Sequence, residues 1–264
     1  MVKNGDRFFF LPGLFLALCF FCNSFGSDGL FSPPTQESDA YTPVVVLELF
    51  TSQGCSSCPP ADALLRRLKE EPSGKRLFPI AYHVDYWNYI GWADPFSREE
   101  YSRKQKEYAA KFLSGTIYTP QLVINGREGM VGSDARKIES RITYYSGMPA
   151  TNSVTLTLKR NGASSVQLGY RIAGSLEGRQ IRTVLVLDER TTSVQRGENR
   201  GRELINANIA IAESRESLQA EKGEIFLPIP GEVRPGETLH AIVITEKVNG
   251  DITGAARLTF EKSG

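Results

Sequence analysis

Val44 to Phe50 (VVVLELF) is a short, almost uninterrupted apolar run, and shortly after it Cys55-Ser56-Ser57-Cys58 leads into an amphipathic helix. A β-branched run with no polar face fits a strand covered on both sides, as in an α/β sheet. In the helix that follows, Ala61, Leu64, Leu65 and Leu68 fall on one face, with Arg66, Arg67 and Lys69 on the other. Pro72, Ser73 and Gly74 end it, and Phe78 to Val84 (FPIAYHV) reads as a second strand. A strand, helix, strand order of this length predicts a right-handed parallel crossover, so the two strand ends share an edge. The cysteine pair is thereby placed between a strand end and a helix start.

Beyond this unit lies a loop rich in aromatics (Tyr86, Trp87, Tyr89, Trp92), then Ser97 with Glu100 as a capping-box signature for a helix reaching about Leu113. Asn125-Gly126 between Gln121 to Ile124 and Glu128 to Val131 predicts a hairpin, because Asn-Gly readily takes the positive φ of a tight turn. A helix from Asp134 to Ser146 closes this part. After Pro149 the period becomes alternating: Val154, Leu156 and Leu158, then Val166, Leu168, Tyr170 and Ile172. Further strands are expected at Ile181 to Leu187, Ile225 to Ile229, Leu239 to Thr245 and Ile252 to Phe260, with Arg190 to Asn206 as a long polar loop. The predicted fold class is therefore an α/β domain over residues 43–149 followed by an all-β, sandwich-like domain over 150–264.

The amino terminus reads as an export signal over residues 1–26: Lys3 and Arg7 precede the apolar run Phe8 to Cys22, and small and polar residues follow. The run contains Pro12 and falls short of the roughly 20 apolar residues a stable membrane span needs. Retention as an uncleaved anchor is the alternative. Residues 27–42, rich in Ser, Pro, Asp and Thr, read as a linker. Cys19 and Cys22 lie within the signal, so a periplasmic or secreted chain keeps only Cys55 and Cys58, in a compartment where disulfides persist. A formal net charge of +1 argues against nucleic acid as a partner.

At a helix start, N–H groups and the dipole favour a negative sulfur, which predicts Cys55 as an accessible, acidified nucleophile and Cys58 as the resolving thiol. Pro59 opposes this by biasing Cys58 away from helical angles, so the helix is allowed to begin as late as Pro60. An inert structural disulfide and a metal site are the other readings of the pair. Structural zinc wants four ligands, whereas copper(I) with His83 as a third ligand stays open. No cofactor is required for thiol–disulfide exchange.

Thr119-Pro120, placed after a helix and before the hairpin, completes an arrangement over residues 43–147 that resembles the thioredoxin superfamily. That resemblance implies a cis proline facing the dithiol and a thioredoxin-like fold for the first domain. The strings ELFTSQGCSSCPPAD, YHVDYWNYIGWADPFS, YTPQLVINGRE and GENRGRELINANIA are similar to those of an exported bacterial thioredoxin-like family known only as a domain of unknown function. Departures are plain: Ser-Ser stands between the cysteines where well-studied thioredoxins have Gly-Pro, no tryptophan precedes Cys55, and a β domain is appended.

Other candidates each carry two readings. Glu48, in the strand leading to the dithiol, is either a buried carboxylate with a raised pKa that relays a proton to Cys58 or a partly solvated or paired strand glutamate. His83 and Asp85 end the second strand on the edge that carries Cys55, where ligands gather in α/β sheets, and His83 is otherwise a packing residue. Trp87, with Tyr86, Tyr89 and Trp92, makes either an apolar platform for an unfolded client or packing between domains. Asn199, Arg200 and Arg202 either reach the dithiol or belong to a solvated loop. The function expected is an exported oxidoreductase exchanging disulfides with protein thiols of the cell envelope and served by a redox partner. The rival is a binding module in which the β domain holds the partner and the disulfide is structural.

Overall fold

The computed structural model describes residues 41–70 and 76–263. The export signal, Cys19, Cys22 and residues 27–40 of the linker lie outside the described residues, whereas Tyr41, assigned to the linker, pairs with Ala150 in an antiparallel bridge. The element order is β1 (Val45–Thr51), α1 (Pro59–Glu70), β2 (Leu77–His83), α2 (Glu99–Lys111), β3 (Gln121–Ile124), β4 (Glu128–Val131) and α3 (Ala135–Ser146). There follow β5 (Asn152–Asn161), β6 (Ser165–Gly174), β7 (Arg179–Ser193), β8 (Glu203–Ser217), β9 (Lys222–Pro228), β10 (Thr238–Lys247) and β11 (Ile252–Glu261).

These strands do not form an α/β thioredoxin-like domain followed by a separate β-sandwich. The protein is mostly β, and strands from both parts of the chain share one eight-stranded mixed sheet, ordered β11-β10-β7-β8-β2-β1-β3-β4. A three-stranded antiparallel sheet, β5-β6-β9, stands beside it. The join is a parallel contact between β2 and β8 at Ala81 and Ile209. Local patterning identified the strands on each side, but alternation in one strand does not say which distant strand it pairs with.

The parallel β1 and β2 are buried along their whole length, as their apolar sequences require. Alternation gives each face its own partners. Val45, Leu47 and Leu49 of β1 and Ala81 of β2 pack with Ala61, Leu65 and Leu68 of α1 and with Ile138 of α3. Further along the sheet, Leu185 and Leu187 of β7 and Ile209 of β8 pack with Val166 and Leu168 of the small sheet. On the opposite face, Phe50, Ile80 and Tyr82 meet Tyr101 and Tyr108 of α2.

That face also buries a charge network. Arg182 of β7, with no exposed surface, donates through Nη1 to Glu48 at 2.7 Å and through Nε to Glu246 at 2.9 Å. Lys104 of α2 donates to Glu213 of β8 at 2.9 Å. The network ties β1 and α2 to β7, β8 and β10, and such paired charges are costly to break one at a time.

Three local expectations need correction. Ser97 does not cap α2: Arg98 holds the cap position without a side-chain bond, and the Ser97 hydroxyl donates to the Asp94 carbonyl at 2.8 Å. The long loop expected over Arg190 to Asn206 is shorter, because β7 extends to Ser193 and β8 begins at Glu203. The second strand is shifted by one residue from the sequence reading. The Asn125-Gly126 turn is present, with φ of 49° and 66°. Asn125 also accepts from Val46 N at 2.7 Å, locking the hairpin onto β1.

Candidate functional site: the Cys55–Cys58 dithiol

At the end of β1 the chain turns through buried Ser52 and Gln53 to Gly54, whose N–H is held by Ser52 Oγ at 3.0 Å. A Cβ at Gly54 would lie 3.1 Å from Ile90 Cδ1 and 3.2 Å from Trp87 Cβ, so a side chain there would press on the aromatic loop. Cys55 follows and is joined to Cys58 as a disulfide, with Cα atoms 5.5 Å apart. The Cys58 carbonyl accepts from Ala61 N and Asp62 N, so Cys58 opens α1 directly and the helix does not wait for Pro60. Pro59 and Pro60 supply no N–H, and those of Ala61 and Asp62 are already bonded. The acidification expected for Cys55 therefore rests on fewer donors than an ordinary helix start provides.

Cys55 Sγ lies 3.9 Å from the Thr119 carbonyl oxygen and 3.3 Å from Ser57 Oγ. The Thr119-Pro120 peptide is cis, and Pro120 is buried. Gly132, at the end of β4, allows this approach: its N–H donates to the Pro120 carbonyl, and a Cβ there would stand 2.6 Å from Leu49 Cδ1. Trp87 Nε1 donates to Thr119 Oγ1 at 2.7 Å, and Trp92 Nε1 donates to Gln53 Oε1 at 3.2 Å. The aromatic loop thus clasps both walls of the site, while Tyr89 projects with 82% of its surface exposed. The accessible nucleophile expected from the sequence is not found. Cys55 is 1% exposed and Cys58 0%, although Ser56 and Ser57 between them are exposed.

Beneath the dithiol is a buried polar group that alternation explains. Thr51 and His83 are register partners on the strand face that packs α1, and Asp62 lies in the first turn of α1. His83 Nδ1 and Asp94 Oδ2 are 2.7 Å apart, and the Asp94 carboxylate also accepts from Gln53 N at 2.8 Å and Phe96 N at 3.0 Å. Burial alone would lower the His83 pKa, but the charge and hydrogen bond of Asp94 outweigh it and leave it raised. Asp94 is correspondingly lowered: burial pushes it up, and His83 and the backbone donors pull it further down. Asp62 differs. Burial pushes its pKa up to about 6, against the charge of His83. His83 Nε2 is buried without a hydrogen-bond partner, and Thr51 lies close enough to Asp62 for its hydroxyl to oppose the rise in the carboxyl's pKa.

Glu48 is on the other face. Burial would raise its pKa, but Arg182 and Lys104 lower it overall, and Tyr108 donates to it at 2.5 Å. It is the paired strand glutamate and not a proton relay to Cys58. Asp85 is turned to α2, accepting from the Ser102 hydroxyl. Asn199 does reach the site: it is fully buried and its Nδ2 donates to the carbonyls of Gln53 and Cys55, each at 2.9 Å. Arg202 Nη1 donates to Asn199 Oδ1 at 3.2 Å, whereas Arg200 is exposed. Among the described residues no group of three or more His, Cys, Asp or Glu stands together as a metal-ion cluster, so His83 is not brought to the cysteines as a third ligand.

Residues 46–245 match a family of proteins of unknown function, DUF1223. The chain belongs to this family. A crystal structure of an Agrobacterium tumefaciens protein is similar to this DUF1223 protein with a TM-score of 0.61 and 28% identity, covering 83% of this chain and 94% of that one. No curated protein matches it. Among the described residues of this DUF1223 protein no helix is long and apolar enough to cross a membrane.

Sequence reasoning passed over Asp62, Asp94, Gln53 and Glu198. Asp62 left a signal, since a residue one helical turn beyond Cys58 shares its face. Asp94 and Glu198 lie inside quoted family strings, but spacing alone gives no hint that they meet the dithiol.

Proposed function

We propose that this protein is an exported thiol–disulfide oxidoreductase acting on protein thiols of the cell envelope through Cys55 and Cys58. The observation that carries the reading is the dithiol at the start of α1 with the Thr119-Pro120 turn against Cys55 Sγ and a buried carboxylate, Asp62, one helical turn beyond Cys58. The apolar amino-terminal segment supports export, which suits a disulfide-forming pair.

In the oxidised state, a substrate thiolate attacks Cys55 Sγ, the Cys55–Cys58 bond breaks, and Cys58 leaves as a thiolate. Asp62, with a pKa of about 6, is suited to deliver a proton to that sulfur and to take it back on the return. A second substrate thiolate then attacks the mixed disulfide and releases Cys55. Two electrons pass from the substrate dithiol to the protein, and the substrate leaves as a disulfide.

The test is capture. Cys58→Ser leaves Cys55 without its resolving partner, and the expected result is a set of exported proteins joined to Cys55 in covalent, reductant-sensitive complexes. No such complexes in the cell envelope would refute the reading. A second reading, a structural disulfide in a binding module, is favoured by one observation, the burial of both sulfurs. Under it the Cys55→Ser, Cys58→Ser double variant keeps its function and loses only about 2–4 kcal/mol of stability.

A further inference from the structure

The burial of the dithiol has a specific cause. Ser56 and Ser57 are exposed while both sulfurs are buried, and the loop joining β7 to β8 is hydrogen-bonded to the backbone of the segment that carries them. That loop is anchored at its base: Val194 is fully buried, its N–H donates to the Arg202 carbonyl, and its own carbonyl accepts from Gly201 N. From this base a short tip leans on the dithiol. Asn199 donates to the Gln53 and Cys55 carbonyls, and the Glu198 carboxylate accepts from Ser56 N at 2.9 Å.

Glycines set the turns at both ends of the tip. Gly197 and Gly201 bracket it with φ of +77° and +81°, in the left-handed region that glycine adopts without strain. A Cβ at Gly201 would meet nothing within 4 Å, so its freedom serves backbone conformation and not packing. A Cβ at Gly197 would stand 2.9 Å from Ile90 Cδ1, so the tip also rests on the aromatic loop. The hold on the dithiol segment comprises the exposed Glu198 carboxylate, which meets both the N–H and the side chain of Ser56, and one buried amide shared by two carbonyls. This is a light closure over a reactive pair.

We infer that the β7–β8 loop is a latch over the dithiol, displaced by polypeptide substrates, with Glu198 as its catch and Asn199 as the positioning residue that holds Cys55 when it is shut. The inference rests on the thiol–disulfide reading of the site. An extended substrate brings backbone carbonyls able to replace Glu198 at the Ser56 N–H, so it opens the site as it docks. A small thiol has no such group and waits for spontaneous opening. The strands that follow the dithiol segment thereby acquire a role, because β7 and β8 carry the gate.

The experiment uses the oxidised full-length protein and its Glu198→Ala and Asn199→Ala variants, with dithiothreitol as the probe. Trp87 and Trp92, both in the loop around the dithiol and the only tryptophans in the chain, report reduction by fluorescence. In the parent protein the rate is expected to level off as dithiothreitol rises, the plateau being the opening rate. Glu198→Ala, a surface change, should lift the plateau by about tenfold, the scale of one charged hydrogen bond. Asn199→Ala, checked for a native circular dichroism spectrum, should lift it further. Rates that rise linearly and identically in all three proteins would overturn the latch while leaving the dithiol chemistry standing. A disulfide that dithiothreitol reduces in none of them, though all are folded, would overturn the oxidoreductase reading and the latch with it.

Discussion

Replacing Asp62 with asparagine is predicted to stabilise the protein above pH 6 while impairing the exchange chemistry proposed for it. Asp62 is 6% exposed, and its pKa is raised from 3.8 to about 6, chiefly by burial. Below pH 3.8 the carboxyl is protonated in both the folded and unfolded chain and has no effect on the pH profile. Between 3.8 and about 6 the unfolded chain releases this proton while the folded one retains it, so stability falls as pH rises. Above about 6 the loss is complete. At about 1.4 kcal/mol per pH unit it amounts to roughly 3 kcal/mol. An amide in place of the carboxyl cannot ionise, so Asp62→Asn escapes the loss. Urea denaturation of both proteins at about pH 4 and about pH 8 should show near-equal stability at the lower pH and a gain of about 3 kcal/mol for the variant at the higher. His83 and Asp94 are present in both proteins, and because the Asp62 charge also helps to raise the His83 pKa, His83 of the variant is expected to titrate lower than that of the parent. If the variant gains nothing at the higher pH, or gains as much at the lower, the carboxyl is not held near 6 and the proton-transfer role assigned to it fails.

Two further outcomes follow from packing and charge. Arg182→Ala strands Glu48 and Glu246 in the interior without their main cation, so a loss of about 3–5 kcal/mol is expected in urea denaturation. Gly132→Ala forces a methyl group toward Leu49, Pro120 and Ala61, with a predicted cost of about 1–3 kcal/mol and an altered exchange rate at Cys55, because the crowding falls between the sheet and the dithiol helix. A loss of stability without any change in exchange rate would show that Gly132 serves the fold alone.

How far the sequence was legible depends on the range of the interaction. The apolar run of β1, the helical stripe of α1 and the Asn-Gly hairpin are local patterns, and each marks a real element. The joining of β2 to β8 through a single parallel residue pair is not local, and no periodicity in either strand announces it. That one contact is why two expected domains became one sheet. Glu48 shows the same limit at the scale of a side chain. The sequence left its burial open, and its partners Arg182 and Lys104, distant in sequence, reverse the shift that burial alone imposes. For the dithiol, placement between β1 and α1 followed from element order, and proximity to Thr119-Pro120 was implied by the thioredoxin resemblance alone. Its covering did not, because Glu198 and Asn199 act from a loop whose destination depends on the non-local sheet.

The most direct test of the account is a redox equilibrium at Cys55 and Cys58. The folded protein is equilibrated across series of reduced-to-oxidised glutathione and dithiothreitol ratios, quenched by alkylation, and read by mass spectrometry on the peptide containing Cys55 and Cys58. The account predicts one reversible two-electron transition, reached identically from the reduced and the oxidised side. A pair that stays locked in one state at every ratio, and changes only when the protein is unfolded, would contradict it.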